Sequence, residues 1–216
     1  MQCGVPYGLC AYRITELDSD GNAAGGTYVG RHPVTVGFNP NIDQGTDVIA
    51  RDGCGCSVAS IKGRPVFNWF EFEFGKDVLE PAAEAMMTGD DPITNAGLVV
   101  GVNGADALDC DDDPVYVGFE FWAKHYVGNA PDSTYKLVHW VFPRTRWWWG
   151  NNTQAEGVGR TVLNGVSARN PLWGGGPYGD GPPNGADVVN WARWFTNDDL
   201  PSATECGTVG DGAIGS

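Results

Sequence analysis

The chain has 216 residues, enough for one domain with a substantial core but few for two. Its 32 glycines and 14 prolines, with prominent Val, Phe, Trp and Tyr, favour short strands joined by turns over helices. The formal net charge of −14 opposes contact with nucleic-acid phosphates, so we do not expect the protein to bind DNA. An acidic wall that DNA slides past without adhering is compatible with this charge.

The N-terminal thirty residues contain no continuous apolar run and include Arg13, Glu16, Asp18 and Asp20. This pattern predicts neither a signal peptide nor a transmembrane helix, so we expect a soluble chain made in the cytosol. The cysteines are too scattered for a disulfide framework and are expected to remain mostly unpaired thiols. They are Cys3, Cys10, Cys54, Cys56, Cys110 and Cys206.

The first predicted elements are short strands. Roughly alternating apolar residues indicate strands at 9–17 and 34–38. Residues 46–51 and 56–61 are predicted to pair as a hairpin, because Asp52-Gly53 between them is a favourable hairpin turn.

Residues 66–74 alternate most strictly of all and predict a half-buried strand. Phe70, Phe72 and Phe74 are expected on one face, with Glu71 and Glu73 on the other. After Gly75 the hydrophobic period changes and predicts a helix over about 76–88. Pro81 suits its first turn, Gly89 supplies its stop, and its apolar stripe would be Val78, Leu79, Ala82, Ala83, Met86 and Met87.

An aromatic-rich segment follows at 114–177. Residues 115–122 and 135–142 have the composition of strands, and a Gly/Pro-rich stretch closes the segment. We expect a main domain over residues 1–180 and a C-terminal extension over 181–216, partly packed and with a flexible end. Within the extension, residues 188–195 fit either a short helix or a strand.

Charge is distributed unevenly along the chain. Residues 76–114 hold ten acidic residues against Lys76 alone, whereas residues 136–169 hold five basic residues against Glu156. Complementary patches on one chain suit head-to-tail contacts between identical subunits, and a solvated acidic face is the alternative. The charged interface candidates are Arg144, Arg146, Asp111, Asp112 and Asp113.

The three consecutive indoles Trp147, Trp148 and Trp149 have three plausible uses: core filling, a carbohydrate platform, or anchors at a subunit interface. Along a strand, Trp147 and Trp149 face one way and Trp148 the other. At least one indole therefore needs cover outside the simplest core, which interface burial would supply. Trp173, in the Gly/Pro-rich stretch, is a further interface candidate.

No motif predicts an enzyme, a cofactor or a metal. Cys54 and Cys56 lack zinc-knuckle spacing, and the acidic residues 109–113 lack the ligand pattern of an EF-hand. No nucleophile signature, Walker loop or Rossmann glycine pattern accompanies the histidines. Glu71 and Glu73 could serve as paired glycosidase carboxylates, but alternating carboxylates on an exposed strand are far commoner.

The order of these features resembles the major tail (tail tube) proteins of long-tailed, non-contractile bacteriophages. No single motif is diagnostic, and the resemblance covers roughly residues 10–180. The closing stretch is similar to that of the same family in phages of actinobacteria. The segments that carry the resemblance are 52–63, 67–74, the helix ending at Gly89, 118–122, 141–143 and 170–177.

The resemblance implies a mainly β protein of the β-sandwich or barrel type with one flanking helix and long loops. Six copies would form a ring whose inner sheets close into a barrel, and stacked rings would form a tube that conducts genomic DNA. Implied partners are further copies, the tail terminator, the distal tail or baseplate, and the tape measure, in a virion assembled in the host cytoplasm. By analogy, Glu71 and Glu73 are lumen candidates.

Two alternatives remain open from the sequence. One is a β-sandwich module of a virion that binds carbohydrate or a receptor through Trp147, Trp148 and Trp149. The other is a glycoside hydrolase that uses Glu71 or Glu73.

Overall fold

The computed structural model describes residues 5–31, 33–51, 53–54, 57–104, 114–128, 130–153, 159–202 and 208–209. Within these ranges the chain is mainly β with one helix, which confirms the predicted fold class. The helix α1 spans Pro81–Thr88. The strands are β1 (Val5–Leu17), β2 (Ala23–Arg31), β3 (Thr35–Asp43), β4 (Val48–Arg51), β5 (Ser57–Ile61), β6 (Val66–Lys76), β7 (Asp91–Asn95), β8 (Leu98–Asn103), β9 (Val117–Val127), β10 (Ala130–Pro131), β11 (Leu137–Trp149), β12 (Thr161–Ser167), β13 (Ala192–Thr196) and β14 (Thr208–Val209).

Most strands belong to one open antiparallel sheet in the order β14-β2-β1-β9-β11-β12-β6-β3. Strand β10 adds to β9, and β13 adds to β11. Two hairpins, β4–β5 and β7–β8, pair only within themselves among the described residues.

The main sheet folds over on itself. Strands β1 and β6 are four strand positions apart, which is about 19 Å in a flat sheet. Yet the rings of Tyr12 on β1 and Phe74 on β6 lie 4.9 Å apart. Phe38 on β3 likewise contacts Trp140 on β11 at 4.9 Å. The two packed layers of the predicted sandwich are therefore formed by a single sheet.

The fold in the sheet coincides with an irregularity in β11. The first part of β11 pairs with β13 and the last part with β12, and its register with β9 shifts between Phe142 and Thr145. A bulge changes which residues of a strand face the core. Even-numbered side chains before it and odd-numbered ones after it join the main core; these are Trp140 and Phe142, then Trp147 and Trp149.

A third layer covers the outer face of β9. Residues 118–123 are buried on both faces of the strand, because the chain from 170 to 191 crosses over it. Trp173 packs directly on Gly118, where an added Cβ would lie 2.4 Å from the indole. The side-chain amide of Asn170 donates to the carbonyls of Gly21 (2.7 Å) and Pro143 (3.1 Å). The C-terminal segment is thus held by both packing and hydrogen bonds.

Several element boundaries differ from the predictions. The helix begins at Pro81 and not at 76, because β6 continues to Lys76; Val78 and Leu79 of the predicted stripe are exposed. Residues 192–196 form a strand, which resolves the helix-or-strand alternative at 188–195. Strands β2, β7, β8 and β12 were not predicted, since their glycines and polar residues obscure the alternation. The predicted hairpin of 46–51 with 56–61 is confirmed as β4–β5.

Candidate assembly surfaces

One exposed face of the sheet carries a mixed set of charged, polar and aromatic side chains, which we call the polar face. Strand register defines two rows across β11, β12, β6 and β3. The first row is Arg146, Val166, Glu71 and Asn39, and the second is Trp148, Asn164, Glu73 and Gly37. Glu71 and Glu73 are exposed between buried phenylalanines, as the alternation predicted.

The register brings together residues to which the sequence assigned different roles. Arg146 and Glu71 lie two strands apart on the same face, about 10 Å between backbones, and so do Trp148 and Glu73. A lumen role for Glu71 and Glu73 and a subunit-interface role for Arg146 and Trp148 therefore compete for one surface.

The three consecutive indoles have different environments. Trp147 is 3% exposed and packs over Gly165, where a Cβ would lie 2.7 Å from the ring. Trp149 is half-buried, and its indole N–H donates to Oδ2 of Asp90 at 2.6 Å. Trp148 is 45% exposed. The predicted orientation of the three side chains is confirmed.

Two indoles do not fit the interface prediction. Trp147 belongs to the main core, and Trp173 packs with Val141 and Val188 in a smaller cluster. Neither side chain is accessible to a neighbouring copy, so the interface prediction is wrong for Trp147 and Trp173. The three indoles consequently do not form a carbohydrate platform, since only Trp148 is well exposed.

The basic residues of 136–169 do not form one patch. The guanidinium of Arg144 stacks on the ring of Tyr116 at 4.0 Å, and Arg160 forms an exposed ion pair with Asp77 at 2.9 Å. Arg146 is exposed on the polar face. Their proposed counterparts Asp111, Asp112 and Asp113 lie outside the described residues.

The β4–β5 hairpin forms an arm, which we define as residues 44–65. Described apolar side chains are exposed on both of its faces: Ile49 on one face is 50% exposed and Ile61 on the other is 68% exposed. At its base Gly45 and Gly63 approach so closely that a Cβ on Gly63 would lie 2.6 Å from the backbone of Gly45. The arm also holds Arg51, Lys62 and Arg64 against Asp47 and Asp52, and is net basic in an acidic chain.

An apolar groove of about 460 Å³ lies beside α1. It is bounded by α1, the C-terminal end of β1 and the β7–β8 hairpin. Its acidic lining residues are Glu16, Asp90 and Asp91, and the described lining includes no Lys or Arg. Its apolar lining includes Leu17, Ala82, Met86, Val99 and Val115. We call this the α1 groove.

A buried ionic cluster connects the C-terminal segment to the sheet. Nε of Arg13 lies 2.5 Å from Oε2 of Glu120, and Nη2 of Arg13 lies 2.7 Å from Oδ2 of Asp180. Nε2 of His139 lies 3.2 Å from Oε1 of Glu120. Aromatic rings surround the charges: Tyr178 and Trp122 flank the guanidinium, and Trp122 and Trp194 flank the imidazole.

The two carboxylates of this cluster respond in opposite ways to their surroundings. Burial by itself would raise the pKa of Glu120, but Arg13 and His139 outweigh it and lower that pKa to about 2. Burial and the Glu120 charge raise the pKa of Asp180 above its usual value, against the attraction of Arg13. Arg13 therefore pairs most strongly with Glu120.

Glu120, His139 and Asp180 offer ligand atoms within 4.8 Å of one another, which is close enough for a metal ion. The Arg13 guanidinium, however, already occupies the space between the two carboxylates and lies at hydrogen-bond distance from both. A metal ion would have to displace this cation or face it. The arrangement fits a structural ion network better than a metal centre.

A second buried cluster fixes α1 against the sheet. Nζ of Lys76 lies 3.4 Å from Oε2 of Glu80 and 3.1 Å from Oε1 of Glu84. The hydroxyls of Tyr12 and Tyr28 both donate to Glu80. Burial and the Glu80 charge raise the pKa of Tyr12 well above its usual value, so this hydroxyl stays protonated. The position of α1, and with it the α1 groove, depends on this network.

Sequence reasoning missed Arg13, Glu120 and Asp180. The available signal was a single charge inside an otherwise apolar strand, as in Phe119-Glu120-Phe121. Such a pattern also fits an exposed strand face, and only the covering C-terminal layer distinguishes the two cases. His125 and His139 are buried and contact aromatic rings, as expected for packed histidines.

Comparison with protein-family models and with curated proteins identified no match for the chain. Among the described residues, no helix has both the length and the apolar character needed to cross a membrane.

Proposed function

We propose that this protein is a self-assembling structural subunit of the tail tube type, whose copies form rings that stack into a tube for DNA passage. The observation that carries this proposal is the amount of apolar surface that the chain holds outside its own core. Ile61 on the arm is 68% exposed, and Leu98 on the β7–β8 hairpin is 70% exposed. Contiguous exposed apolar surface is typical of surfaces that meet another protein.

Several of the exposed apolar residues lie in two groups. Val66, Phe67 and Trp69 are exposed where β6 meets the arm, and Ile42 lies opposite Phe67 on β3. Val100 and Ile93 are exposed on the β7–β8 hairpin. Each cluster lies on or beside an element that pairs only within itself, so a neighbouring copy can cover it without unfolding the sheet.

The open sheet supports the same proposal. Among the described residues, β3 pairs on one side only, with β6, so its other edge presents unpaired backbone groups. An open edge favours pairing with another chain. A ring of identical subunits would satisfy this edge by continuing the sheet from copy to copy.

The polar face bears on the lumen prediction. If Glu71 and Glu73 line the lumen, then Arg146 and Trp148 line it too, because strand register places them on the same face. The proposal accordingly keeps Glu71 and Glu73 as lumen candidates and removes Arg146 and Trp148 from the subunit interface. The carbohydrate-binding alternative is not proposed, since it relied on three exposed indoles.

Electron microscopy and analytical ultracentrifugation of the purified protein over rising concentration test the proposal. Six-fold rings or stacked tubes are the expected result, and a monomer at every concentration contradicts it. Leu98→Glu should weaken assembly, while Thr94→Glu, which adds the same charge at an exposed polar position of this hairpin, should leave it largely intact. Both variants should retain the wild-type circular dichroism spectrum.

A further inference from the structure

We propose that the arm of one copy docks in the α1 groove of the next copy, so that copies join head to tail along the direction of β6. This inference rests on the proposed self-assembly and names the two surfaces that meet. It assigns a partner to the arm and an occupant to the groove, neither of which the sequence predicted.

The first argument is position. The arm leaves the sheet beside Val66, at the start of β6, whereas α1 follows Lys76, at its end. Ten residue steps of about 3.3 Å separate these ends by about 33 Å. The groove also contains Leu17 at the C-terminal end of β1, which runs in the same direction as β6 through alternating antiparallel neighbours. Arm and groove therefore lie at opposite ends of the subunit.

This separation excludes docking within one chain. Ile61 is five residues from Val66, so a fully extended chain carries it at most about 18 Å from the arm's base. Lys62 and Arg64 are nearer still to that base. None of these side chains can reach the groove of its own chain, about 33 Å away. A second copy of the chain is the occupant that remains.

The second argument is chemical complementarity. The arm exposes Ile49 on one face and Ile61 on the other, and the exposed cations Lys62 and Arg64 follow Ile61 in the chain. The groove presents aliphatic side chains beside Glu16 and Asp91, which are exposed. Neither Lys62 nor Arg64 forms an ion pair with another described residue. Apolar burial and opposite charge would thus both favour the contact.

The third argument is symmetry. A contact between two different surfaces at opposite ends of one subunit is heterologous, and it continues from copy to copy unless a rotation closes it into a ring. Contacts of this kind along β6 produce axial stacking with a defined polarity. Lateral contacts through the β3 edge would be independent of it.

Photo-crosslinking tests the contact without altering the native thiols. Benzoylphenylalanine replaces Ile61, and the assembled protein is irradiated and analysed by mass spectrometry, using a mixture of ¹⁵N-labelled and unlabelled chains. Crosslinks from position 61 to residues 82–99 in mixed light–heavy pairs are expected. Benzoylphenylalanine at Tyr7, an exposed residue near the N-terminal end of β1, is the control and should give no crosslink to residues 82–99.

A charge swap provides a second measurement. The double variant Lys62→Glu, Arg64→Glu should raise the concentration needed for assembly at least about tenfold, because like charges would face each other. Adding Glu16→Lys and Asp91→Lys to the same chain should restore assembly. The control Lys124→Glu changes an exposed lysine on β9 and should have little effect.

The outcomes separate this inference from the proposed function. Tubes that form normally, with no crosslink to residues 82–99 or with no response to the charge swap, overturn the arm–groove contact and leave the tube proposal standing. A protein that never assembles overturns both. Crosslinks found only in light–light and heavy–heavy pairs would show contact within one chain and would also overturn the inference.

Discussion

Arg13 and Asp180 are 167 positions apart in the chain, yet their charged groups lie 2.7 Å apart in the interior. Arg13 belongs to β1 near the start of the chain, and Asp180 belongs to the segment that covers the outer face of the sheet. The ion pair therefore holds the C-terminal covering segment against the sheet. Its desolvation cost is offset because Glu120 and the aromatic rings around the guanidinium complete the site.

Removing one partner of this network should destabilise the fold strongly. We expect Glu120→Gln to lower the free energy of unfolding by about 3 kcal/mol, because it removes the carboxylate with which the buried Arg13 pairs most strongly and leaves Asp180 as its remaining partner. Asp187→Asn, which removes an exposed carboxylate from the same C-terminal segment, should change it by less than about 0.5 kcal/mol. Urea titration followed by tryptophan fluorescence measures both. Equal stabilities of the two variants would contradict the structural role of the cluster.

Acid should unfold the protein in a window set by Glu120. Its pKa falls from 4.5 to about 2 on folding, so its stabilisation is complete above pH 4.5 and is lost as the pH falls toward 2. This corresponds to about 3 kcal/mol. The raised pKa of Asp180 acts in the opposite sense, because its charged form is disfavoured in the folded state as pH rises. Chemical denaturation from pH 7 to pH 2 should show the loss, and Glu120→Gln should reduce its slope.

Substitution of the neighbouring residues Trp147 and Trp148 by alanine should reduce the free energy of unfolding by very different amounts. Trp147→Ala removes a core side chain and should cost about 3–5 kcal/mol of unfolding free energy. Trp148→Ala removes an exposed side chain and should cost about 0.5 kcal/mol or less. Thermal denaturation by circular dichroism compares them directly. A large loss of stability for Trp148→Ala in the isolated subunit would contradict the exposed position of this side chain on the polar face.

The close packing of Trp173 on Gly118 should make that glycine intolerant of substitution. Gly118→Ala places a methyl group where the indole now lies, and the C-terminal layer should detach or shift. We expect a lower melting temperature together with increased proteolysis between residues 170 and 196. The matched control is Gly53→Ala, where a Cβ meets nothing within 4 Å, and it should leave both measurements unchanged.

Because residues 73 and 148 share the polar face, we expect the accessibility of both positions to fall together when the protein assembles. Single variants Glu73→Cys and Trp148→Cys place thiols in the same row of that face. If this face lines a tube lumen, a bulky maleimide should label both thiols quickly in the isolated subunit and slowly in tubes. Lys124→Cys, at an exposed position of β9 outside the polar face and the arm, serves as the reference position. Protection of only one of the two thiols would contradict the prediction that Glu73 and Trp148 line the same lumen surface.

Charge reversal should affect the stability of the subunit differently at Arg144 and at Arg146. Arg144 is half-buried and stacks on Tyr116, so its reversal to Glu would disturb the fold itself. Arg146 is exposed, and Arg146→Glu should leave the isolated subunit stable to within about 0.5 kcal/mol. Urea titration checks this difference. Only Arg146 therefore gives an interpretable assembly result.

The local sequence pattern was sufficient to predict side-chain orientation wherever one face of an element is buried and the other is exposed to solvent. The alternation of Phe70, Glu71, Phe72, Glu73 and Phe74 predicted their orientation correctly, and so did the alternation of the three indoles. Period two is a property of the extended backbone, so it needs no tertiary information. The helix start was misplaced because the apolar residues after Gly75 fit a helical stripe as well as a strand end.

The amino-acid sequence by itself determined a mainly β chain with one short helix, an exposed carboxylate face on β6 and a hairpin at residues 46–61. These follow from composition, period and turn chemistry, which act over a few residues. Only the tertiary structure decided that Trp147 and Trp173 are core residues, that Arg146 shares a face with Glu71, and that Arg13, Glu120 and Asp180 meet. These outcomes depend on a bulge in β11 and on a covering segment contributed more than 160 residues after Arg13, and neither leaves a local signature.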